Sequence, residues 1–277
     1  MDILYIIGTG SKWSNNELRF SLRSVEKFGK NVGRVFVCGA NPGFLSDEVI
    51  FIPCDDPTDM PHKNIMHKIQ HVLDTTDIGD EFILASDDHF YVKPTDFGKM
   101  TVWRYEWRGE CIWDYVIKDE RYYRSMVETR QLLKEAGLPI YLTNPHCGKP
   151  MSRSVWQKTA ALRVAAMNLP HGGEVNCIIG NQMIADGVKP TLYRDVKIKH
   201  FDNIKDLEQQ IGDSHCFSIF DSAIRCGLEQ YLLRLFPEPC RYEYTPATKK
   251  DNKQPRRIEH TVRKGGSIIT KTKYIYD

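Results

Sequence analysis

Four short apolar runs in the first third of the chain constrain its fold more than any other feature. Each run has the length of a strand, and loops or segments of helical periodicity separate the runs. Strands that alternate with helices in this way are typical of an α/β protein. We therefore expect a mostly parallel sheet flanked by helices, with strands at 2–7, 34–38, 49–53 and 81–85.

Helices are predicted between and after these strands. Ser14 and Glu17 have the spacing of a capping box, and Leu18, Leu22 and Val25 behind them share one helical face. The sequence contains no linker long enough to separate independent domains before residue 244, so one domain is expected over 1–244. Further helices are predicted at 62–74, 122–136, 152–167, 175–186 and 222–235.

Composition places the chain among ordinary globular proteins. It has 277 residues, 38 basic against 36 acidic side chains, and 41% hydrophobic residues. Collagen-like, disordered and membrane-spanning classes are excluded, because no apolar run approaches the roughly 18 residues of a spanning helix. The apolar start at 1–7 has no basic region before it, and the eight cysteines are scattered without a CxxC pair. A cytoplasmic protein with mostly buried, reduced cysteines is expected.

The last segment is unusually basic. Residues 245–277 carry a net charge of +6, whereas the rest of the chain carries −4. Two alternating runs on either side of Gly265 and Gly266 predict a β-hairpin. The charge indicates an anionic partner such as nucleic acid, and a solvated basic tail is the alternative. The candidate contacts are Lys249, Lys250, Arg256 and Arg257.

Two adjacent carboxylates, Asp87 and Asp88, follow the strand at 81–85. In open α/β sheets, ligands bind beyond the carboxyl ends of the strands. Carboxylate oxygens suit Mg²⁺ or Mn²⁺, which complete their coordination with water and substrate phosphates. The pair therefore predicts a metal that bridges the chain to a nucleotide diphosphate, with an exposed acidic turn as the alternative.

Nucleotide contacts are predicted at two further places. Gly8, Thr9 and Gly10 follow the first strand and would let the backbone approach a nucleotide, although a plain turn has the same pattern. Arg19 and Arg23 lie four residues apart on one helical face. Their guanidinium groups could pair with diphosphate oxygens, and a solvated helix face is the alternative.

Histidines supply the candidates for proton transfer and for further metal ligands. His146 lies in a loop next to proline and is a candidate general acid or base, because imidazole titrates near working pH. His215 and Asp221 are expected to complete the metal shell or to contact the acceptor. His200 is an alternative to His215.

Several segments, in order along the chain, resemble a known family. The order of elements resembles the nucleotide-sugar half of a GT-A glycosyltransferase, and more closely the Stealth family of sugar-phosphate transferases. NNELRFSLRSVEK at 15–27 is similar to that family's NNELRYSLRS segment, and LASDDHFYVKP at 84–94 resembles its LNDDFF segment. NPHCGKP at 144–150 resembles more weakly a region that contributes a catalytic His, and 217–243 resembles the closing region.

The resemblance implies a GT-A-like, Rossmann-like domain with a nucleotide-sugar half at 1–95 and an acceptor half at 96–244, followed by the basic hairpin. It implies a UDP-sugar or related donor, Mn²⁺ or Mg²⁺ as cofactor, Asp88 as metal ligand, Asp87 at the ribose or metal, and His146 as a catalytic group.

One position departs from the pattern, because Thr9 stands where the family has an Asp. We therefore expect glycosyl transfer to a hydroxyl of a glycan or of a modified DNA base. The alternative enzymatic reaction is transfer of a sugar phosphate, as in the Stealth family. A non-catalytic module that binds nucleic acid or an anionic surface is the alternative of another class.

Overall fold

The structure is a computed structural model that describes residues 1–105, 121–244, 256–264 and 267–275, with side chains at 1–103 and 121–244. The chain divides into two compact units, Met1–Glu243 and Tyr244–Asp277. No helix among the described residues is long and apolar enough to cross a membrane. The cysteines that the structure describes are free, and most of them are buried.

Short strands and helices make up the fold. In chain order, the strands are β1 (Asp2–Ile7), β2 (Gly29–Lys30), β3 (Val35–Gly39), β4 (Val49–Pro53), β5 (Glu81–Ala85), β6 (Phe90–Tyr91), β7 (Thr95–Asp96), β8 (Trp103–Tyr105), β9 (Lys149–Ser152), β10 (Thr191–Tyr193), β11 (Lys197–Ile198), β12 (Cys216–Ile219), β13 (Arg256–Lys264) and β14 (Ser267–Ile275). The helices are α1 (Asn16–Phe28), α2 (Pro61–Thr75), α3 (Arg121–Glu135), α4 (Arg153–Lys158), α5 (Ala160–Asn168), α6 (Val175–Ala185), α7 (Ile204–Ile211), α8 (Asp221–Ala223) and α9 (Glu229–Leu235), with a 3₁₀ turn at Phe97–Lys99 and a π-helical turn at Ile224–Leu228.

The central sheet has five strands in the order β4-β3-β1-β5-β9. The first four are parallel, and β9 runs antiparallel to β5. In register, Ile3 of β1 lies between Val35 of β3 and Ile83 of β5. The predicted α/β fold with a mostly parallel sheet is confirmed, and the four predicted strands lie within one residue of their observed bounds.

Helices cover both faces of this sheet. Ile3 and Tyr5 of β1 belong to a core cluster with Leu22 of α1, whereas Leu4 between them belongs to a cluster with Ile69 of α2. All five side chains are fully buried. Burial on both faces explains why the parallel strands appear in the sequence as continuous apolar runs rather than as alternating ones.

The start of α1 differs from the prediction. Ser14 and Asn15 adopt positive φ angles of 53° and 57°, and neither caps the helix with its side chain. Ser11 supports the helix start instead: its hydroxyl donates to Glu17 at 2.9 Å and accepts the N–H groups of Trp13 and Asn15. The predicted capping box is therefore wrong, because the left-handed turn carries the Ser14 hydroxyl away from the first helical turn.

Two predicted helices are broken in the structure. The one expected at 152–167 divides into α4 and α5 at Thr159, and the one expected at 222–235 is interrupted by the π-helical turn. Gly227 within that turn has φ of 93°, a left-handed conformation that glycine adopts without strain. The chain can therefore change direction there between α8 and α9.

The carboxyl ends of β1 and β3 are held together closely. Gly39 ends β3 with φ of +138°, and a Cβ atom there would lie 1.9 Å from the carbonyl oxygen of Ile7. Lys68 of α2, only 2% exposed, donates to the same carbonyl at 2.7 Å and pairs with Asp56 at 2.6 Å. The loop that follows β1 therefore leaves the sheet from a fixed position.

A second sheet, in the order β11-β12-β6, lies beyond the end of β5. β12 pairs antiparallel with β6 and parallel with β11. Since β6 begins directly after His89, this sheet brings Lys197 of β11 and Ser218 of β12 close to Asp88.

The second unit is an antiparallel hairpin of β13 and β14, in register from the pair Arg256–Ile275 to the pair Lys264–Ser267. The predicted hairpin is confirmed for this backbone. Its expected turn at Gly265 and Gly266, and the candidate contacts Lys249 and Lys250, lie outside the described residues.

Candidate functional site

A cavity of about 740 Å³ opens beyond the carboxyl end of β5. Its described walls come from the β5–β6 turn, the start of α2, the first turns of α3, the loops before β9 and α6, and the segment that leads into β11. Asp88 and His146, which the sequence indicated as catalytic, both line it. The fold thus brings together two groups that are far apart in the chain.

Asp88 is oriented at the cavity wall by neighbours on the second sheet. The hydroxyl of Ser218 donates to Asp88 Oδ2 at 2.6 Å, and Lys197 Nζ lies 3.7 Å from the same oxygen. His89 Nε2 lies 3.9 Å from Oδ1. Burial, with help from the Lys149 charge, lowers the pKa of His89 well below its usual range, so His89 is neutral beside this carboxylate.

Asp87 faces a different environment. Burial raises its pKa to about 7, and the carboxylates of Asp88 and Glu17 add to the shift. Asp87 is not among the described residues of the cavity wall. Glu17 in turn accepts the hydroxyl of Ser11, in the loop after β1. Of the two aspartates, only Asp88 is among the described residues of the cavity wall, and Asp87 interacts with the carboxylates of both Asp88 and Glu17.

The carboxylates at this strand end fit a divalent metal ion that takes only one or two of its ligands from the protein. Within 1–103 and 121–244, no group of three or more His, Cys, Asp or Glu side chains is arranged to hold a metal by itself. Mg²⁺ is commonly held by one or two carboxylates when substrate phosphates supply the remaining oxygens. Burial is the main cause of the raised pKa of Asp87, and repulsion from the carboxylates of Asp88 and Glu17 adds to it. A divalent cation relieves that repulsion.

His215, the third predicted metal ligand, lies among aromatic side chains. Its ring packs among aromatic side chains, with centroids 6.4 Å from Tyr91, 6.1 Å from Trp103 and 5.5 Å from Tyr193. Burial lowers the pKa of His215, and the charge of Lys93 lowers it further. The ring of His215 therefore belongs to an aromatic cluster and has no described contact with Asp88, and its role as a metal ligand stays a prediction.

Two further candidates also lie apart from the cavity wall. Asp221 forms an exposed ion pair with Lys12 at 2.9 Å. His200 lies on the surface, with Nδ1 3.1 Å from Cys226 Sγ and Nε2 3.2 Å from Asp202 Oδ1. Neither residue is near enough to Asp88 to form a described contact with it.

Arg19 and Arg23 are committed to a structural ion cluster. Arg23, which is 8% exposed, places Nε 2.5 Å and Nη2 2.9 Å from the two carboxylate oxygens of Glu243, and its Nη1 donates to the carbonyl of Phe236. Arg19 Nη1 also lies 2.5 Å from Glu243. Burial acts to raise the pKa of Glu243, but the bonds from Arg23, the Cys240 N–H and Arg19 outweigh it and lower the pKa. The structure thus pairs both arginines with Glu243, and their predicted contact with a diphosphate stays a prediction.

Gly8, Thr9 and Gly10 form an exposed loop at the carboxyl end of β1. They lie outside the described wall of the cavity. Nucleotide contact by this loop stays a prediction.

His146 is held by a carboxylate that the sequence did not indicate. Its Nδ1 lies 2.6 Å from Asp195 Oδ2, and its backbone N–H donates to Asp195 Oδ1 at 2.7 Å. One carboxylate therefore fixes both the ring and the backbone. With the Nδ1 proton directed at Asp195, Nε2 carries the lone pair, which is the arrangement of a general base.

The opposite part of the cavity contains a second set of histidine–carboxylate pairs. His171 Nδ1 lies 2.6 Å from Glu128 Oε1, and its backbone N–H donates to Oε2 at 3.0 Å. His62 Nδ1 lies 3.0 Å from Glu174, which is 3% exposed. Burial acts to raise the pKa of Glu174, yet contacts with His62, with a backbone N–H and with Lys149 lower it. Glu174 is therefore ionised.

Comparisons with known proteins give only distant similarity. No protein-family model matches the chain, and no curated protein sequence gives a significant match. The crystal structures that align with it include an active-site mutant of LgtC, with a TM-score of 0.45, and the galactosyltransferase LgtC in complex with donor and acceptor sugar analogues, with a TM-score of 0.44. Each alignment has 12% identity and covers 87% of this chain and 98% of the other. Similarity at this level does not carry that enzyme's function over to this chain.

Proposed function

We propose that this chain is a glycosyltransferase that moves a sugar from a nucleotide-sugar donor to an acceptor hydroxyl. One observation carries the proposal: His146, oriented by Asp195, lines the same cavity as Asp88 at the end of β5. Such a reaction needs a base for the acceptor and groups that stabilise the charge of the leaving diphosphate. The cavity provides both kinds of group.

In this proposal, His146 Nε2 accepts the proton of the acceptor hydroxyl while the acceptor oxygen attacks the anomeric carbon. The bond from sugar to diphosphate breaks, and its electron pair leaves with the nucleotide. Asp195 keeps the ring in the required tautomer and stabilises the imidazolium that forms.

Asp87 and Asp88 would hold Mn²⁺ or Mg²⁺ against the donor. When bound, such an ion stabilises the negative charge of the leaving diphosphate. Lys197 adds a fixed positive charge, 3.7 Å from Asp88 Oδ2, on the same wall. Ser218 keeps Asp88 turned toward the cavity.

Transfer of a sugar phosphate is the second candidate, favoured by the segments at 15–27 and 84–94 that resemble the Stealth family. In the structure, Arg19 and Arg23 of the first segment bind Glu243, the last residue of the closing segment. That contact does not distinguish the two reactions. The two reactions break different bonds, so their nucleotide products differ.

The test is to incubate the protein with a panel of nucleotide sugars and Mn²⁺ or Mg²⁺ and to identify the nucleotide released. We expect a nucleoside diphosphate, with release abolished in Asp88→Ala and His146→Ala and retained in Asp221→Ala, which changes an exposed aspartate outside the cavity. A nucleoside monophosphate would establish sugar-phosphate transfer instead. Release of neither, without thermal stabilisation by any donor and metal, would count against both reactions and favour a non-catalytic binding module.

A further inference from the structure

A buried polar atom on the cavity wall, Asn176 Oδ1, has no hydrogen-bond partner among the described residues. Asn176 is 9% exposed, and its Oδ1 accepts no hydrogen bond. The amide orientation is fixed, because Nδ2 donates to Glu174 Oε1 at 2.6 Å and to Asn144 Oδ1 at 3.2 Å. Lys149, which is 7% exposed as a residue, lines the same cavity, and its charge acts on the nearby carboxylate of Glu174.

An unsatisfied buried group costs about 1–3 kcal/mol. Asn176 Oδ1 on the cavity wall, with the Lys149 ammonium in the same lining, indicates a ligand that donates to the amide oxygen. Lys149 and Asn176 also line a recess of about 10 Å³ together, so the two are neighbours. The wall thus offers one hydrogen-bond donor and one acceptor side by side.

A hydroxyl group complements this pair, since it accepts from the Lys149 ammonium and donates to Asn176 Oδ1. An ionised phosphate has no proton to donate to Asn176. It would also face the ionised Glu174 on the same wall, together with Asp195 beside His146. The lack of a proton to donate and the charge of Glu174, which is bonded to Asn176 itself, therefore favour a neutral hydroxyl over a phosphate next to Asn176.

An aromatic surface lies on the same cavity wall. Tyr122 lines the cavity and is 43% exposed. Its ring stacks on His62, with centroids 5.6 Å apart and planes at 29°. Support by His62 keeps the Tyr122 ring in place as a flat apolar surface, on which the C–H face of a ring can pack.

We propose that this part of the cavity is the acceptor subsite and that it takes a neutral sugar ring, in preference to a phosphate-bearing or nucleic-acid acceptor. That the bound sugar is the acceptor rests on the proposed function. A hydroxyl of the sugar binds between Lys149 and Asn176 while its ring packs on Tyr122. Asn144 connects Asn176 to the loop that carries His146, which places another hydroxyl of the same ring toward the base.

The experiment measures sugar binding to the full-length protein by saturation-transfer NMR. The probes are glucose, galactose and lactose, the 6-phosphates of the two monosaccharides, and a short DNA oligonucleotide, each with and without UDP and Mn²⁺. We expect at least one neutral sugar to bind, and its phosphorylated form to bind about tenfold more weakly or not at all. Tyr122→Ala and Asn176→Ala should each weaken binding about tenfold, whereas Tyr122→Phe retains it.

Tyr141→Ala is the matched control, because Tyr141 is 44% exposed and lies outside the described cavity wall. Should Asn176→Ala fail to fold, the Tyr122 variants decide the result, since that side chain is partly exposed. Binding of no sugar would overturn the inference, as would tighter binding of the phosphates or the DNA with the same dependence on Tyr122. Nucleotide release from donors in the absence of acceptor tests the proposed function separately: a sugar site without nucleotide release would refute the transferase and leave the site standing.

Discussion

At the scale of single residues, the contact between His146 and Asp195 has the clearest chemical consequence. Removal of the imidazole in His146→Ala should lower kcat by about 10²–10⁴-fold, the usual contribution of a positioned base. Asp195→Asn should also lower kcat, because the amide can hold the ring in the wrong tautomer. Initial rates of nucleotide release at saturating donor and acceptor measure kcat for both variants. Unchanged kcat in His146→Ala would assign proton transfer to another group.

Glu243 is the residue whose loss should destabilise the fold most. Glu243→Gln leaves the buried guanidinium of Arg23 without its counter-charge, which should lower the free energy of unfolding by about 3–5 kcal/mol. Urea denaturation at neutral pH measures it, with the exposed Glu229→Gln as control. A loss similar to that control would mean that solvent compensates Arg23.

The same residue predicts a pH dependence. The pKa of Glu243 is lowered from its ordinary value of 4.5 in the folded protein, so the unfolded chain binds the proton more tightly. Its contribution to stability is therefore present above about pH 4.5 and is lost as the pH falls through the lower folded value. Wild type should lose more stability over that acid range than Glu243→Gln. Parallel curves for the two proteins would contradict this prediction.

The site residues differed in how far the sequence could reveal them. Asp88 was predictable because it follows an apolar strand, and strand ends in α/β sheets are binding sites. Asp195 was not predictable, because its role depends on its contact with His146, which lies 49 residues away in the sequence. Glu128 and His171 are likewise 43 residues apart. Such pairs leave no local pattern, and the fold alone brings them together.

At the scale of elements, the parallel strands and α2 were predictable because burial gives them continuous apolar runs or a clear helical period. The pairings of β6, β9 and β12 could not be predicted from the sequence. β6 has two residues, and β9 contains a proline and a lysine, so neither shows the pattern of a strand. These three elements nevertheless shape the cavity.

The start of α1 provides a test at this scale. Ser11→Ala removes a hydroxyl that accepts two backbone N–H groups and donates to Glu17, so it should cost about 1 kcal/mol of stability. Ser14→Ala is the matched control and should have a much smaller effect, because Ser14 does not cap the helix. Thermal denaturation of both variants compares them. A larger loss of stability in Ser14→Ala than in Ser11→Ala would support the capping box that the sequence indicated.

The end of β3 provides a second test. Gly39→Ala should destabilise the protein strongly, because the added Cβ would collide with the Ile7 carbonyl at a φ of +138°. Gly10→Ala is the control, since a Cβ there meets no atom within 4 Å. Denaturant unfolding of the two variants should separate them by several kcal/mol, on the order of the largest single-residue effects. Equal stability would show that the strand end can shift.

At the scale of the whole molecule, the basic segment at 245–277 predicts a nucleic-acid contact that is independent of the sugar site. Changing Lys249, Lys250, Arg256 and Arg257 to Ala should weaken DNA binding and reduce the slope of log K against log salt concentration. The reduction should reach up to about 0.9 for each phosphate that the altered side chains no longer neutralise. Binding isotherms at several salt concentrations measure it. Absence of salt dependence in the wild type would leave this segment as a solvated tail.

The ion cluster of Arg19, Arg23 and Glu243 also orders events during synthesis. Arg23 and Glu243 are separated by 220 residues, so the ribosome makes α1 long before its counter-charge exists. At roughly 5–20 residues per second, that interval is roughly 10–40 s. Throughout that time Arg23 lacks its counter-charge, so we expect α1 to complete its packing only after the segment that carries Glu243 has emerged.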